Sequence, residues 1–268
     1  MKKILFISMM IFSIFACHAQ ITQVNDMKEV FEAFKDADSN TLAVFDVDMV
    51  LVQPSDPAFQ MANMKRYGVI AKRIMKEMPE DKQMVFLSLM TIGSHPILID
   101  DRTPQLLNQI IQRGVPAIAL TANLTGRLGS IEKMEQWRID SLKRLGIDFS
   151  RTAPCSSSLV LDNLASYRGN YSSYLNGVLF VNGTTVSKGE AFLTFLEKSG
   201  FSPNKVIFID DKEDNLKSLE TAIQKLNLSI EYQGFHYLGA LQYPSEVISE
   251  EEFESRWQQL ALRAQEIN

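Results

Sequence analysis

Three short apolar runs, each ending in polar residues, constrain the fold of this chain more than any other feature. They cover residues 41–47 (TLAVFDV), 115–121 (VPAIALT) and 205–210 (KVIFID), and helix-forming segments separate them. A strand that is apolar on both sides must be covered on both faces, as in the centre of a parallel sheet. The alternation of strands and helices predicts an α/β fold with a doubly wound, Rossmann-like parallel sheet. In such folds the functional site lies at the carboxyl ends of the strands.

The segment between the first two runs is longer than a simple crossover requires. Prolines interrupt it around two predicted helices, which cover residues 59–78 and 80–89. We therefore assign residues 52–102 to a small, mostly helical cap insert. The core then comprises residues 20–51 and 103–268.

Three further elements are predicted within this core. A helix is expected over residues 124–145, closed by a glycine. The pattern VLFV predicts a short strand over residues 178–181, which is consistent with one strand of a hairpin. The final segment, residues 249–267, reads as a helix that packs on the surface of the core.

Residues 1–19 have the layout of a bacterial secretory signal. Two lysines precede an apolar run from Ile4 to Phe15, and small residues follow it. The run is shorter than the ~20 apolar residues that span a bilayer, so no transmembrane segment is expected. We predict an exported protein, periplasmic or secreted. Cleavage after Ala19 would release a soluble chain, and a lipoprotein with a lipid anchor at Cys17 stays open as the alternative.

The composition argues against nucleic acid as a partner and against a sulfur-rich metal site. The chain has 27 Lys+Arg and 32 Asp+Glu, a net charge of -5, so it offers no positive field to a polyphosphate backbone. It has two cysteines, one of them in the predicted signal, and three scattered histidines. Any bound metal is therefore expected to have oxygen ligands, which are the preferred ligands of Mg²⁺.

Carboxylates follow two of the three apolar runs. Asp46 and Asp48 lie two positions apart at the end of the first run, so both can point to the same side of the sheet. Two negative charges at that spacing repel unless a divalent cation or a proton lies between them. Asp210 and Asp211 form a second acidic pair at the end of the third run.

Two groups suited to an anion complete the pattern. Thr121 ends the second run, where its hydroxyl and the backbone N–H of Ala122 can hold an anion. Lys188 begins a helix, where its ammonium adds to the positive end of the helix dipole.

In this order the motifs DVDMV, IALT, Lys188 and IDDKEDN resemble those of the haloacid dehalogenase-like (HAD) hydrolase superfamily. The four motifs of that superfamily are a DxDxT or DxDxV loop, a strand-end Thr or Ser, a lysine and a strand-end acidic pair. The resemblance covers roughly residues 41–216. The framing LGIDFS, NGVLFV, KGEAFLTFL and VIFIDD looks like an exported bacterial branch of unassigned function.

The resemblance implies a phosphatase that acts on a small phosphorylated substrate through an aspartyl phosphate. Asp46 would attack phosphorus, and Asp48 would protonate the leaving oxygen and then accept a proton from water. The Asp46 carboxylate, the Asp48 carbonyl and Asp211 would bind Mg²⁺, with Asp210 binding it directly or through water. Lys188 and the hydroxyl that ends the second run would hold the transferred oxygens.

Two other functions stay open at this point. The chain could be a HAD-like binding or assembly protein without turnover, or a phosphotransferase. Loss of Asp46, Asp48 or Lys188 would mark the binding protein, and all three are present. A signalling receiver domain fits less well, because its lysine comes last in sequence. The oligomeric state is not encoded in these patterns.

Overall fold

The computed structural model describes residues 20–226, 230–242 and 246–267, so the predicted signal and Cys17 lie outside the described residues. None of the helices in these ranges is both long and apolar enough to cross a membrane. The strands are β1 (Gln20–Val24), β2 (Thr41–Phe45), β3 (Val52–Pro54), β4 (Pro96–Leu98), β5 (Ala117–Thr121), β6 (Leu159–Val160), β7 (Ser173–Leu175), β8 (Val178–Phe180), β9 (Lys205–Asp210) and β10 (Glu231–Tyr237). The α-helices are α1 (Met27–Glu32), α2 (Met61–Glu77), α3 (Glu80–Gly93), α4 (Thr103–Gln112), α5 (Met134–Arg144), α6 (Lys188–Ser199), α7 (Glu213–Lys225) and α8 (Glu250–Glu266).

An eight-stranded sheet with the order β1-β10-β9-β2-β5-β8-β7-β6 forms the centre of the molecule. The first six strands run parallel, and β7 and β6 continue the sheet in antiparallel pairing. The register places Val44 of β2 beside Phe208 of β9 and Ile118 of β5. The three apolar runs therefore form neighbouring central strands, and the predicted α/β class with a mostly parallel sheet is confirmed.

Helices cover both faces of the sheet because alternate residues of each strand point into two different cores. Ala43 and Phe45 of β2 pack with residues of α1, α4 and α5. Leu42 and Val44 of the same strand pack with residues of α6 and α7. Full burial of such a side chain stabilises the fold by about 1.5–3 kcal/mol. This layering leaves the carboxyl edge of the sheet free for polar groups.

Helices α2, α3 and α8 form a helical lobe, which the two-stranded β3–β4 ribbon joins to the sheet. The division made from the sequence placed residues 249–267 on the core, whereas α8 packs against the insert helices. The Trp257 ring lies 5.2 Å from the rings of both Phe59 and Phe86. Its indole N–H donates to the Ala58 carbonyl at 3.1 Å. The insert therefore completes its apolar core with a helix from the far end of the chain.

The helix predicted over residues 124–145 begins only at Met134, and the residues before it form an irregular segment. This segment lies close against α3, where the Ser88 hydroxyl donates to the Leu128 carbonyl at 3.3 Å. Gly129 has a φ of 57°, and a Cβ at this position would collide with the Ser88 side chain. The expected first turns of the helix are therefore absent. The residues before Met134 instead contact the helical lobe and include left-handed backbone at Gly129. The predicted hairpin strand is present as β8, paired with β7.

Candidate active site

The chain turns sharply at the end of β2, and this turn carries Asp46 and Asp48. The backbone N–H of Val52 donates to the Val47 carbonyl at 3.0 Å, which closes the turn. Met49 within it has a φ of 65°, a conformation that costs a residue with a Cβ on the order of 1–2 kcal/mol. Such backbone is retained where the surrounding structure requires it, often at functional sites.

Lys188 lies between two buried carboxylates. It is the first residue of α6, which Ser187 and Glu190 begin with a reciprocal capping box. Its ammonium lies 2.8 Å from Asp46 Oδ1 and 2.7 Å from Asp210 Oδ2, and its side chain is 3% exposed. Burial alone would lower the pKa of Lys188, but the two carboxylates outweigh that effect and raise it. The ammonium is therefore a fixed positive charge at this site.

Asp210 is fully buried and hydrogen-bonded at both carboxylate oxygens. Its Oδ2 accepts from Lys188, while its Oδ1 accepts from the Lys212 backbone N–H at 2.8 Å and the Asn215 amide at 2.9 Å. These bonds tie the start of α6 to the start of α7. The arrangement favours a role for Asp210 in orienting Lys188 over direct binding of a metal.

Asp46, Asp210 and Asp211 form an acidic cluster whose nearest carboxylate oxygens all lie within 4.8 Å of one another. Burial raises the pKa of Asp46 well above its usual range although Lys188 acts to lower it, and repulsion from Asp210 and Asp211 adds to the rise. Burial, with repulsion from Asp210, raises the pKa of Asp211 to about 6. An anionic, oxygen-only cluster with this repulsion suits a hard divalent cation such as Mg²⁺.

Asp48 is held by two residues that were not predicted from the sequence. The Asn123 amide donates to Asp48 Oδ2 at 2.7 Å, and Arg138 Nη2 lies 3.0 Å from Asp48 Oδ1. Arg138 Nε donates in turn to Asn123 Oδ1 at 2.5 Å. The three side chains therefore form a closed ring. Asn123 follows Thr121 by two positions, so its place after a strand end was a usable signal, whereas Arg138 in α5 belongs to no motif.

Thr121 is the fully buried last residue of β5, and the exposed Ala122 follows it. The Thr121 hydroxyl accepts from the Asn123 backbone N–H at 3.2 Å. Because β5 and β2 are parallel neighbours, their ends lie on the same edge of the sheet. The structure thus brings Lys188 into contact with Asp46 and Asp210 and places the Asp211 carboxylate within 4.8 Å of both aspartates. It joins Asp48 to the end of β5 through Asn123.

A cleft of about 80 Å³ opens beside Asp48. Its walls come from the β3–β4 ribbon, the end of α3 and the start of α5, so the helical lobe and the core both contribute. A larger cavity of about 250 Å³ lies between α3 and α8, and none of the predicted site residues lines it. The cleft is lined by Asp48, Gln53, Pro54, Met90, Thr91, Ser94, Pro96, Trp137 and Arg138.

Comparison with known proteins finds relatives along nearly the whole chain. An uncharacterized protein of Rickettsia bellii is 24% identical over 246 residues, which cover 88% of this chain and 83% of the relative. An uncharacterized protein of Rickettsia felis is 25% identical over 229 residues, which cover 82% and 77%. No solved structure matches the chain significantly. Residues 23–266 match a family described as protein of unknown function (DUF2608), and the chain belongs to this family.

Proposed function

We propose that this protein is a Mg²⁺-dependent, HAD-like phosphatase that hydrolyses a small phosphomonoester through an aspartyl phosphate on Asp46. One observation carries the proposal. A buried carboxylate, Asp46, touches a buried ammonium, Lys188, inside an acidic cluster at the carboxyl edge of a parallel sheet. Folding keeps these groups together despite the repulsion among the carboxylates, which is characteristic of sites that bind a cation or handle charge.

Asp46 is the nucleophile in this mechanism. Its Oδ1 accepts from the Val47 backbone N–H at 2.7 Å and contacts the Lys188 ammonium, so the carboxylate is fixed before substrate binds. Attack forms the bond from an Asp46 oxygen to phosphorus while the bond from phosphorus to the leaving oxygen breaks. Lys188 stays charged beside the transferred oxygens and stabilises their negative charge.

Asp46, Asp211 and the carbonyl of Asp48 would hold Mg²⁺, which supplies positive charge between the anionic nucleophile and the anionic substrate. The Asp48 carboxyl lies beside the cleft, where it gives a proton to the leaving oxygen. It then takes a proton from the water that hydrolyses the phosphoenzyme. The Thr121 hydroxyl and the Ala122 N–H contribute hydrogen bonds to the phosphoryl oxygens.

Phosphate release from a panel of phosphomonoesters, with Mg²⁺ and with a chelator, tests this proposal. Asp46→Asn should abolish turnover, because an amide cannot form the aspartyl phosphate. Asp48→Asn should lower turnover roughly 10²- to 10⁴-fold but keep the nucleophile. With an aryl phosphate, acid-quenched mass spectrometry should then find phosphate on Asp46 in the Asp48 variant.

Asp162→Asn provides a matched control, because Asp162 is an exposed carboxylate that pairs only with Lys198 in the described contacts. This variant should turn over at the parent rate. Activity that withstands exhaustive chelation, or phosphate found on a residue other than Asp46, would refute the mechanism.

Export stays a prediction that rests on residues 1–19. Mass spectrometry of the protein from its native host should find a chain that begins at Gln20 or a lipidated chain that begins at Cys17. Recovery of the intact chain from the cytosol would contradict export.

A further inference from the structure

Arg138 is a buried cation that the proposed mechanism has not yet used. Its side chain is 8% exposed, and it lines the cleft beside Asp48. A guanidinium withdrawn from water needs charged or polar partners to offset the cost of desolvation. Within the described residues its ion-pair and hydrogen-bond partners are Asp48 and Asn123, which follow the ends of β2 and β5. One side chain of α5 thus connects two strand ends of the site.

The position of the Arg138 guanidinium is fixed by its own helix. Ile139 and Leu142 of α5 are buried in the core beneath the sheet, which holds the helix in place. The Trp137 ring lies 5.4 Å from the guanidinium carbon, at a distance that allows a cation–π contact. Arg138 therefore presents its N–H groups from a rigid support.

Asp48 lacks such support of its own. Its side chain is 41% exposed, and it lies on the turn in which Met49 has a positive φ. A half-exposed carboxylate on a turn has several accessible rotamers, and acid/base catalysis requires one of them. Arg138 and Asn123 each engage a different oxygen of Asp48 and so fix both the position and the plane of the carboxylate.

We propose that Arg138, with Asn123 as a bridge, positions Asp48 for proton transfer to the leaving group. The inference rests on the proposed phosphatase function. Arg138 stays protonated throughout and donates hydrogen bonds only, so it is a positioning residue. The planar guanidinium suits this role because it serves two acceptors at once in a fixed geometry, which a lysine ammonium does not.

The experiment compares kcat/KM of Arg138→Ala on two kinds of substrate. An alkyl phosphate needs a proton on its leaving oxygen, whereas dinitrophenyl phosphate releases a stable anion. The value of kcat/KM depends only on the steps up to formation of the phosphoenzyme, so it does not include the later hydrolysis of that intermediate. Misplacement of Asp48 should lower kcat/KM about 10- to 100-fold for the alkyl phosphate and leave it nearly unchanged for dinitrophenyl phosphate.

Three further measurements separate positioning from a general structural role. Arg138→Ala should cause no additional loss in the Asp48→Asn background, because the group that it positions is then absent. Added guanidinium ion should restore alkyl phosphate turnover to Arg138→Ala. Arg138→Lys keeps the charge and most of the stem. Like Arg138→Ala, it should lose activity on the alkyl phosphate and not on dinitrophenyl phosphate. Arg144→Ala is the matched control, since Arg144 is an exposed arginine of the same helix, and it should match the parent.

Equal losses on both substrates, or losses that add to those of Asp48→Asn, would overturn this inference and leave the phosphatase function intact. A parent protein that releases phosphate from no member of the panel would instead refute the proposed function, and the inference with it.

Discussion

Replacing Lys188 with methionine would leave three carboxylates within 4.8 Å of one another and remove the buried cation that pairs with two of them. The Lys188 ammonium lies within 2.8 Å of two carboxylates, and its side chain is almost inaccessible to water. Removal of one partner from a buried ion pair costs about 3–5 kcal/mol. Methionine has a similar length, so little of this cost comes from an empty cavity. For a protein of this size each kcal/mol lowers the Tm by about 2–4 °C, so we expect a decrease of about 6–20 °C.

Thermal unfolding followed by circular dichroism, with and without Mg²⁺, measures the effect. Mg²⁺ should raise the Tm of Lys188→Met more than that of the parent, because the metal replaces the lost positive charge. Lys198→Met is the control, since Lys198 lies in the same helix but forms an exposed ion pair with Asp162. Such a surface pair contributes about 0–1 kcal/mol.

Two results would refute this reasoning. Lys188→Met could prove as stable as Lys198→Met, which would show that the carboxylates need no cation in the folded state. Alternatively, Mg²⁺ could stabilise the parent more than Lys188→Met, which would show that the metal and the lysine do not neutralise the same carboxylates.

Three other substitutions test the helix packing and the ion pairing around the site. Trp257→Ala should lower the free energy of unfolding by about 3–5 kcal/mol and make α8 the first target of limited proteolysis, and an unchanged urea midpoint would contradict the role of α8 in the helical lobe. Gly189→Ala should lower both the Tm and kcat, because its Cβ would collide with the backbone carbonyl of Ser218 and push α6 away from α7, and parent-like values would contradict that close approach. Burial raises the pKa of Asp100, but hydrogen bonds from Arg102 outweigh it and lower the pKa overall. A depressed pKa stabilises the fold above the unfolded-state pKa, so Asp100→Asn should cost about 0.5–1 kcal/mol near neutral pH, and urea unfolding should show this difference disappear in acid.

The central strands were predictable because burial on both faces leaves a continuous apolar run in the sequence. No such pattern marks β1 or β10. Three residues of β10, namely Glu231, Gln233 and His236, are exposed or only partly buried, and β1 pairs with the sheet on one side only. His236 near the end of β10 lies 3.0 Å from the Asp211 carbonyl, which accounts for a polar residue at this position. These strands depend on pairing between distant parts of the chain, which a local pattern does not contain.

The same distinction applies within the site. Lys188 meets Asp46 and Asp210 because the ends of parallel strands and the start of the following helix share one edge of the sheet. That rule follows from local sequence. Arg138 reaches the site only because Ile139 and the rest of the α5 core face set the rotation of that helix. The distance in sequence between Arg138 and any of the motifs does not predict this rotation. The contact between Arg138 and Asp48 is therefore visible only in the folded structure.

Asp46 and Asp48 show why the rule of alternating residues fails just beyond a strand. Two positions apart in a strand, they would share one face, but β2 ends at Phe45 and the chain turns through the positive φ of Met49. Asp46 is therefore buried against Lys188, whereas Asp48 stays half-exposed against Arg138. Each carboxylate thus has its own cation and its own degree of contact with water. A turn that costs on the order of 1–2 kcal/mol gives two identical side chains the separate environments that the proposed nucleophilic attack and proton transfer would require.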